Sequence, residues 1–149
     1  MWVDIFTNRY FWVPLFTGMF AQLLKFLLYA LRKRRVDFRW LITTGGMPSS
    51  HSASVMALST LVGLQEGFRS PLFGVTLYFS VIVMYDAAGL RRAAGKQASV
   101  LNRIIEELAE THTISQEHLQ ERLMELLGHT PLEVLAGALL GVVIGVLFA

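Results

Sequence analysis

The chain contains no cysteine, which excludes disulfide bonds and thiolate metal sites. Its four histidines show neither His-Glu-x-x-His nor any other zinc-ligand spacing, so neither a metal nor another cofactor is expected. Charge is scarce as well. Asp, Glu, Lys and Arg make up 16% of the 149 residues against 54% hydrophobic, and the mean hydropathy is +0.50. That is too apolar for an ordinary water-soluble domain, so residues 1–149 are read as one domain with the bilayer as solvent. A net charge of +2 and a pI near 9.2 could suit nucleic acid, but the basic residues flank apolar segments and lack an interleaved aromatic platform. They read as topology signals, and no nucleic acid partner is expected.

What the chain does have is long apolar runs. A spanning helix needs about 20 mainly apolar residues, and residues 11–31, 71–90 and 131–149 each come close to that. A shorter run, 52–64, becomes a tilted fourth span when extended back to Ser49, although its length also suits a buried or re-entrant helix. The first run is not a secretory signal, because the cluster Arg32-Lys33-Arg34-Arg35 follows it and no cleavage-type Ala-x-Ala comes after. Arg32, Lys33, Arg34, Arg35 and Arg39 follow the first span, and Arg91, Arg92, Lys96, Arg103 and Arg122 follow the third, whereas Arg9 and Arg69 lie on the other side. The excess of positive charge places both basic loops in the cytoplasm.

Between the third and fourth spans, Val100, Leu101, Ile104, Ile105 and Leu108 recur at helical spacing, as do Leu119, Leu123, Leu126 and Leu127. The pattern predicts a cytoplasmic amphipathic helical hairpin turning within residues 110–115. The expected fold is therefore all-α: a polytopic membrane bundle of about four spans plus that hairpin. In the last span Gly137, Gly141 and Gly145 repeat every four residues, so another helix can approach closely, either within the chain or from a second copy in a homo-oligomer.

This topology brings scattered polar residues to one level: Lys25 with Arg32, Ser49-Ser50-His51, Asp86 with Arg91 and Arg92, and His129 with Glu133. Lys25 and Asp86 sit inside apolar runs, where ionisable groups are costly and face polar cavities; a structural ion pair or snorkelling by Lys25 is the plainer alternative. Pro48-Ser49-Ser50-His51 opens a helix, and its free amide hydrogens suit a phosphate, although serine at such a position also caps. His129-Thr130-Pro131-Leu132-Glu133 opens the last span similarly, and Thr130-x-x-Glu133 fits a capping box that would occupy Glu133 with backbone donors. The run Arg91 to Lys96 also fits a purely topogenic role, while His112 and His118 read as surface residues. Two histidines among several cations make a coherent set for phosphoryl transfer: one attacks phosphorus, the other protonates the leaving oxygen, and the cations hold the equatorial oxygens.

Three blocks, Gly45-Gly46-Met47-Pro48-Ser49-Ser50-His51-Ser52-Ala53, Met84-Tyr85-Asp86-Ala87-Ala88-Gly89-Leu90-Arg91-Arg92-Ala93-Ala94-Gly95-Lys96-Gln97 and Leu127-Gly128-His129-Thr130-Pro131-Leu132-Glu133-Val134, closely resemble the divergent branch of the type 2 phosphatidic acid phosphatase family. That branch is related to acid phosphatases and vanadium-dependent haloperoxidases. The broader superfamily carries Lys-x6-Arg-Pro, Pro-Ser-Gly-His and Ser-Arg-x5-His-x3-Asp. Here Lys25 and Arg32 keep the first spacing with Lys33 in the proline position, and Ser50 replaces the glycine of the second. His129 matches the third, Glu133 stands for its aspartate, and Leu123 occupies its arginine position with Arg122 one residue early. The resemblance implies that His129 is the nucleophile, that Glu133 orients it and that His51 is the general acid. Lys25, Arg32, Ser49 and Ser50 would hold phosphate, with Asp86 at the same level and Arg91 or Arg92 replacing the missing arginine. It implies a metal-free lipid phosphate phosphatase of the inner membrane, and the cytoplasmic orientation favours an inner-leaflet substrate such as phosphatidylglycerophosphate or phosphatidic acid. The rival readings are a non-catalytic membrane protein that binds anionic lipid or scaffolds a partner, and a small transporter subunit.

Overall fold

A computed structural model describes residues 6–41, 45–110 and 128–149. Among them the regular structure is entirely helical: α1 (Arg9–Lys33), α2 (Ser50–Glu66), α3 (Pro71–Ala88), α4 (Leu90–Glu110) and α5 (Pro131–Leu147), with one 3-10 turn at Phe38–Leu41. Polar residues punctuate the apolar runs. Asn8, Ser49, Ser70 and Thr130 each cap a helix by accepting a backbone N–H from its first turn, and Pro71 and Pro131 occupy first-turn positions where no donor is needed. The first helix stops at Arg34, whose left-handed φ of 51° turns the chain out of the helix.

The packing order is inverted relative to a water-soluble bundle. The buried side chains are mostly small, among them Ala21, Ala53, Ala57, Ser49, Ser52, Ser59 and Ser80, while Phe11, Phe16, Phe20, Leu72, Phe79 and Leu139 are exposed. Water would penalise that arrangement, whereas lipid tails are as apolar as leucine and helices in lipid associate through small residues. Stretches within α1 and within Pro71–Leu108 are long and apolar enough to cross a membrane, and only 22% and 11% of them are buried in the protein, unlike the core helices of a soluble fold. The helix α5 is apolar but shorter, at 17 residues.

The centre of the bundle is α2, which packs against α1, α3 and α5. Its 17 residues reach roughly 26 Å, less than the ~30 Å of a hydrocarbon core. The seam with α5 is the closest in the molecule. The two helices run parallel, and a Cβ added at Gly137 would strike the Ser49 carbonyl, at Gly141 that of Ala53, and at Gly145 the Thr60 side chain. The glycine stripe, which the sequence leaves available to a second copy, is thus occupied by the chain's own α2, and the reason is that only glycine lets these two backbones meet. On the other side of α2, the Ser59 and Ser80 hydroxyls lie 2.8 Å apart, and Ser80 reaches the Val55 and Thr76 carbonyls at 2.9 Å.

Two boundaries depart from expectation. The third apolar run ends as a helix at Ala88, where the Gly89 N–H bonds to the Tyr85 carbonyl at 2.8 Å. The basic run from Arg91 to Lys96 is then helical, opening α4 rather than forming a loop. The first arm of the expected hairpin is the amphipathic α4; the remainder, with Leu119, Leu123, Leu126 and Leu127, lies outside the described residues, as do His112, His118 and Arg122.

Candidate active site

Antiparallel packing brings the C-terminal ends of α1 and α3 level with the N-terminal ends of α2 and α5. Two backbone bonds lock that end. The His129 N–H donates to the Ala87 carbonyl at 2.9 Å, and the Ser49 N–H donates to the Glu133 carbonyl at 3.0 Å. All three sequence blocks therefore meet in space. The turn before α2 carries Gly46 at a φ of 91°, a conformation that residues with a Cβ rarely adopt.

At this junction His129 is only 2% exposed. Its Nδ1 lies 3.3 Å from Glu133 Oε2. A carboxylate can only accept, so Nδ1 carries the proton and Nε2 is left with a lone pair. That Nε2 is buried and has no hydrogen-bond partner. The same Glu133 oxygen accepts the Thr130 N–H at 3.0 Å, while Thr130 Oγ1 accepts the Glu133 N–H at 3.4 Å. The capping box predicted from Thr130-x-x-Glu133 is thus present, and it does not compete with orientation of the histidine. One carboxylate oxygen does both, because His129 immediately precedes the N-cap.

Burial pushes the His129 imidazole below its ordinary pKa, as does the positive charge of Lys25, while Glu133 pulls it back up and His51 adds a smaller downward push. Lys25 is itself 2% exposed, and its Nζ donates to Gln22 Oε1 at 3.1 Å. Lys25, Arg32, Thr130 and Glu133 line a cleft of about 690 Å³ together with Gly46, Met47 and the apolar flank Leu28, Leu31 and Leu132. The cleft thus combines two cationic side chains with apolar ones.

The other expected site residues take varied places. His51, in the first turn of α2, is exposed, and its charge is felt at His129. Ser49 is fully buried, and its Oγ accepts from the Ser52 N–H at 3.4 Å and the Ser52 hydroxyl at 3.0 Å, so its side chain caps α2 instead of facing the cleft. Ser50 is half-buried, as is Asp86 near the end of α3, and Arg92 is exposed on α4. The Arg91 side chain lies outside the described residues. Sequence reasoning missed Gln22, Ser52 and the Ala87 carbonyl. A signal existed for Gln22, since a polar residue one turn from an intramembrane lysine is itself unusual in a span. None exists for a backbone carbonyl, which every residue carries.

A bundle with a small-residue core, an apolar outer surface and a polar cleft at one end defines an all-helical membrane protein. The chain belongs to the Divergent PAP2 family, which it matches over residues 6–144. It is also 40% identical over 154 aligned positions to the uncharacterized membrane protein YuiD of Bacillus subtilis (strain 168), an alignment covering 99% of this chain and 98% of that one. No solved structure matches it.

Proposed function

We propose that this protein is a lipid phosphate phosphatase, hydrolysing a phosphomonoester of the phosphatidylglycerophosphate or phosphatidic acid type through a phosphohistidine. The observation that carries the reading is the His129 ring, tied to a carboxylate through Nδ1 and left with a buried, unpartnered Nε2. A buried polar atom without a partner costs about 1–3 kcal/mol, and such exceptions in folded proteins call for an explanation, of which a catalytic role is one. Membership of a family related to type 2 phosphatidic acid phosphatases supports the same chemistry.

In the first step Nε2 attacks phosphorus, the bond from phosphorus to the lipid oxygen breaks, and His51 protonates that leaving oxygen. Glu133 stabilises the charge that develops on the ring, and Lys25 and Arg32 hold the equatorial phosphoryl oxygens. In the second step a water gives its proton to His51 and attacks phosphorus, which releases phosphate and restores His129. No step requires a metal. His129 is only 2% exposed, so substrate entry has to displace part of the cleft wall.

We place α1, α2, α3 and α5 across the inner membrane with the cleft at the cytoplasmic face. Arg32 and Lys33 end α1, Arg34 and Arg35 follow it, and Arg92, Lys96 and Arg103 lie on α4, at the cleft end of the molecule, whereas Arg9 and Arg69 lie at the other. An inner-leaflet lipid phosphate is then the substrate within reach. Brief incubation of purified protein with phosphatidic acid labelled in its phosphate should leave label on the wild type and none on His129→Ala. Absence of released phosphate from a panel of lipid phosphates would instead favour a non-catalytic membrane protein that binds anionic lipid or scaffolds a partner. Single cysteines placed at Ser70 and Ala94 test sidedness: Ala94 labelled from outside the cell would overturn the cytoplasmic placement.

A further inference from the structure

We infer that Gln22 is a positioning residue that holds the Lys25 ammonium in the phosphate cleft, acting through Lys25 and not on the substrate. The inference rests on the phosphatase reading and adds to it a residue outside the family motifs.

Lys25 lies two turns before the end of α1, and that end carries Arg32 and Lys33. A lysine at such a depth ordinarily extends its stem toward the nearer interface, which here is the C-terminal direction. Its Nζ bonds instead to Gln22, one turn in the opposite direction, and the residue is almost fully covered. Side chains on a helix lean toward its N-terminus, so positions 22 and 25 share a face and the bond is within easy reach. The amide thus counters the outward pull and keeps the ammonium level with Glu133 and His129, whose ring feels the Lys25 charge.

The choice of an amide matters. A carboxylate at position 22 would hold the ammonium at least as firmly but would cancel much of its charge, and a cation already neutralised does less for phosphoryl oxygens. Gln22 fixes position and leaves the charge intact. Gln22 also borders an apolar cleft with Phe16, Met19, Phe20, Leu23 and Leu41, which can take in a side chain of similar size.

The test is a set of variants, Gln22→Met, Gln22→Glu, Lys25→Met and Gln22→Met with Lys25→Met, assayed on phosphatidic acid in detergent micelles after melting temperatures have been matched. Should Gln22→Met fail to fold, Gln22→Leu takes its place. Hydrogen bonds to charged groups are worth about 1.5–3 kcal/mol, so Gln22→Met should lower kcat/KM about tenfold or more, mainly through KM. It should add nothing in the Lys25→Met background, and Gln22→Glu should lose activity although it keeps a bond to the lysine. Wild-type activity in Gln22→Met or Gln22→Glu, or an equal loss with and without Lys25, overturns the inference. If the wild type releases no phosphate, the phosphatase reading fails by itself, and the inference is then read from orthovanadate binding by calorimetry. Weaker binding in Gln22→Met, with no further loss in the Lys25→Met background, upholds it; unchanged affinity, or no binding by the wild type, overturns it.

Discussion

The two sides of α2 handle buried polar groups in opposite ways. Toward α3, mid-bundle, the Ser59 and Ser80 hydroxyls bond to each other and Ser80 also bonds to the Val55 and Thr76 carbonyls, so both hydroxyls are satisfied. At the N-terminal end, beside α5, His129 is as deeply buried, yet one ring nitrogen has no partner and the other makes a long 3.3 Å bond. A satisfied polar pair in a small-residue seam serves helix packing. On the phosphatase reading proposed above, the orphaned nitrogen beside a carboxylate and a buried lysine is the nucleophile. Burial alone does not separate the two sites; their hydrogen-bond accounts differ. Of the two buried unpartnered side-chain nitrogens among the described residues, Trp12 Nε1 and His129 Nε2, it is the latter that stands beside a carboxylate.

That contrast is open to direct attack. The largest effect expected is His129→Ala, which should cut phosphate release by at least about a thousandfold, as removal of a nucleophile does, while the His129 backbone bond to Ala87 survives and the melting temperature in detergent changes little. A large loss of stability with residual activity would reverse the roles assigned to the two sites. The acid limb of kcat/KM comes next. His129 must be neutral to attack, and with its pKa held below the ordinary 6.5, activity should persist to lower pH than a free histidine would allow. Lys25→Met removes a downward push, so the limb should move to higher pH; Glu133→Gln removes the upward pull, so it should move to lower pH. Shifts in the same direction would show that these groups do not face the ring as described. The smallest effect belongs to Ser80→Ala, expected to cost about 0.6 kcal/mol, typical of a hydrogen bond within a membrane protein, with turnover unchanged. Lost turnover there would make the mid-bundle pair part of the chemistry.

Much of this end of the molecule is legible in the chain because its signals are local. Thr130, Pro131 and Glu133 announce a capped helix, and the capping box forms as written. Lys25 stands out as a charge inside an apolar run, and it lines the cleft. The helix α2 is harder to read. It packs against three other helices, so it has no broad polar face to contrast with an apolar one and shows little of the periodicity that marks α4. The double use of the Glu133 carboxylate was also beyond local reading, since a capping box and a histidine partner look like alternatives until His129 is seen beside the same oxygen. Ser49 shows the converse: a serine in a phosphatase-like motif whose hydroxyl is engaged by Ser52.

The sequence by itself determined that the protein is helical and apolar, where α2, α3 and α5 start, and which end carries the positive charge, because each of these depends on residues within a few positions of one another. Tertiary structure decided the rest. It set the glycines of α5 against α2, paired Ser59 with Ser80, and gathered Lys25, Gln22, His129 and Glu133 at one end of the bundle. These contacts join residues far apart in the chain, and only the packing of helices at backbone distance fixes which of them meet.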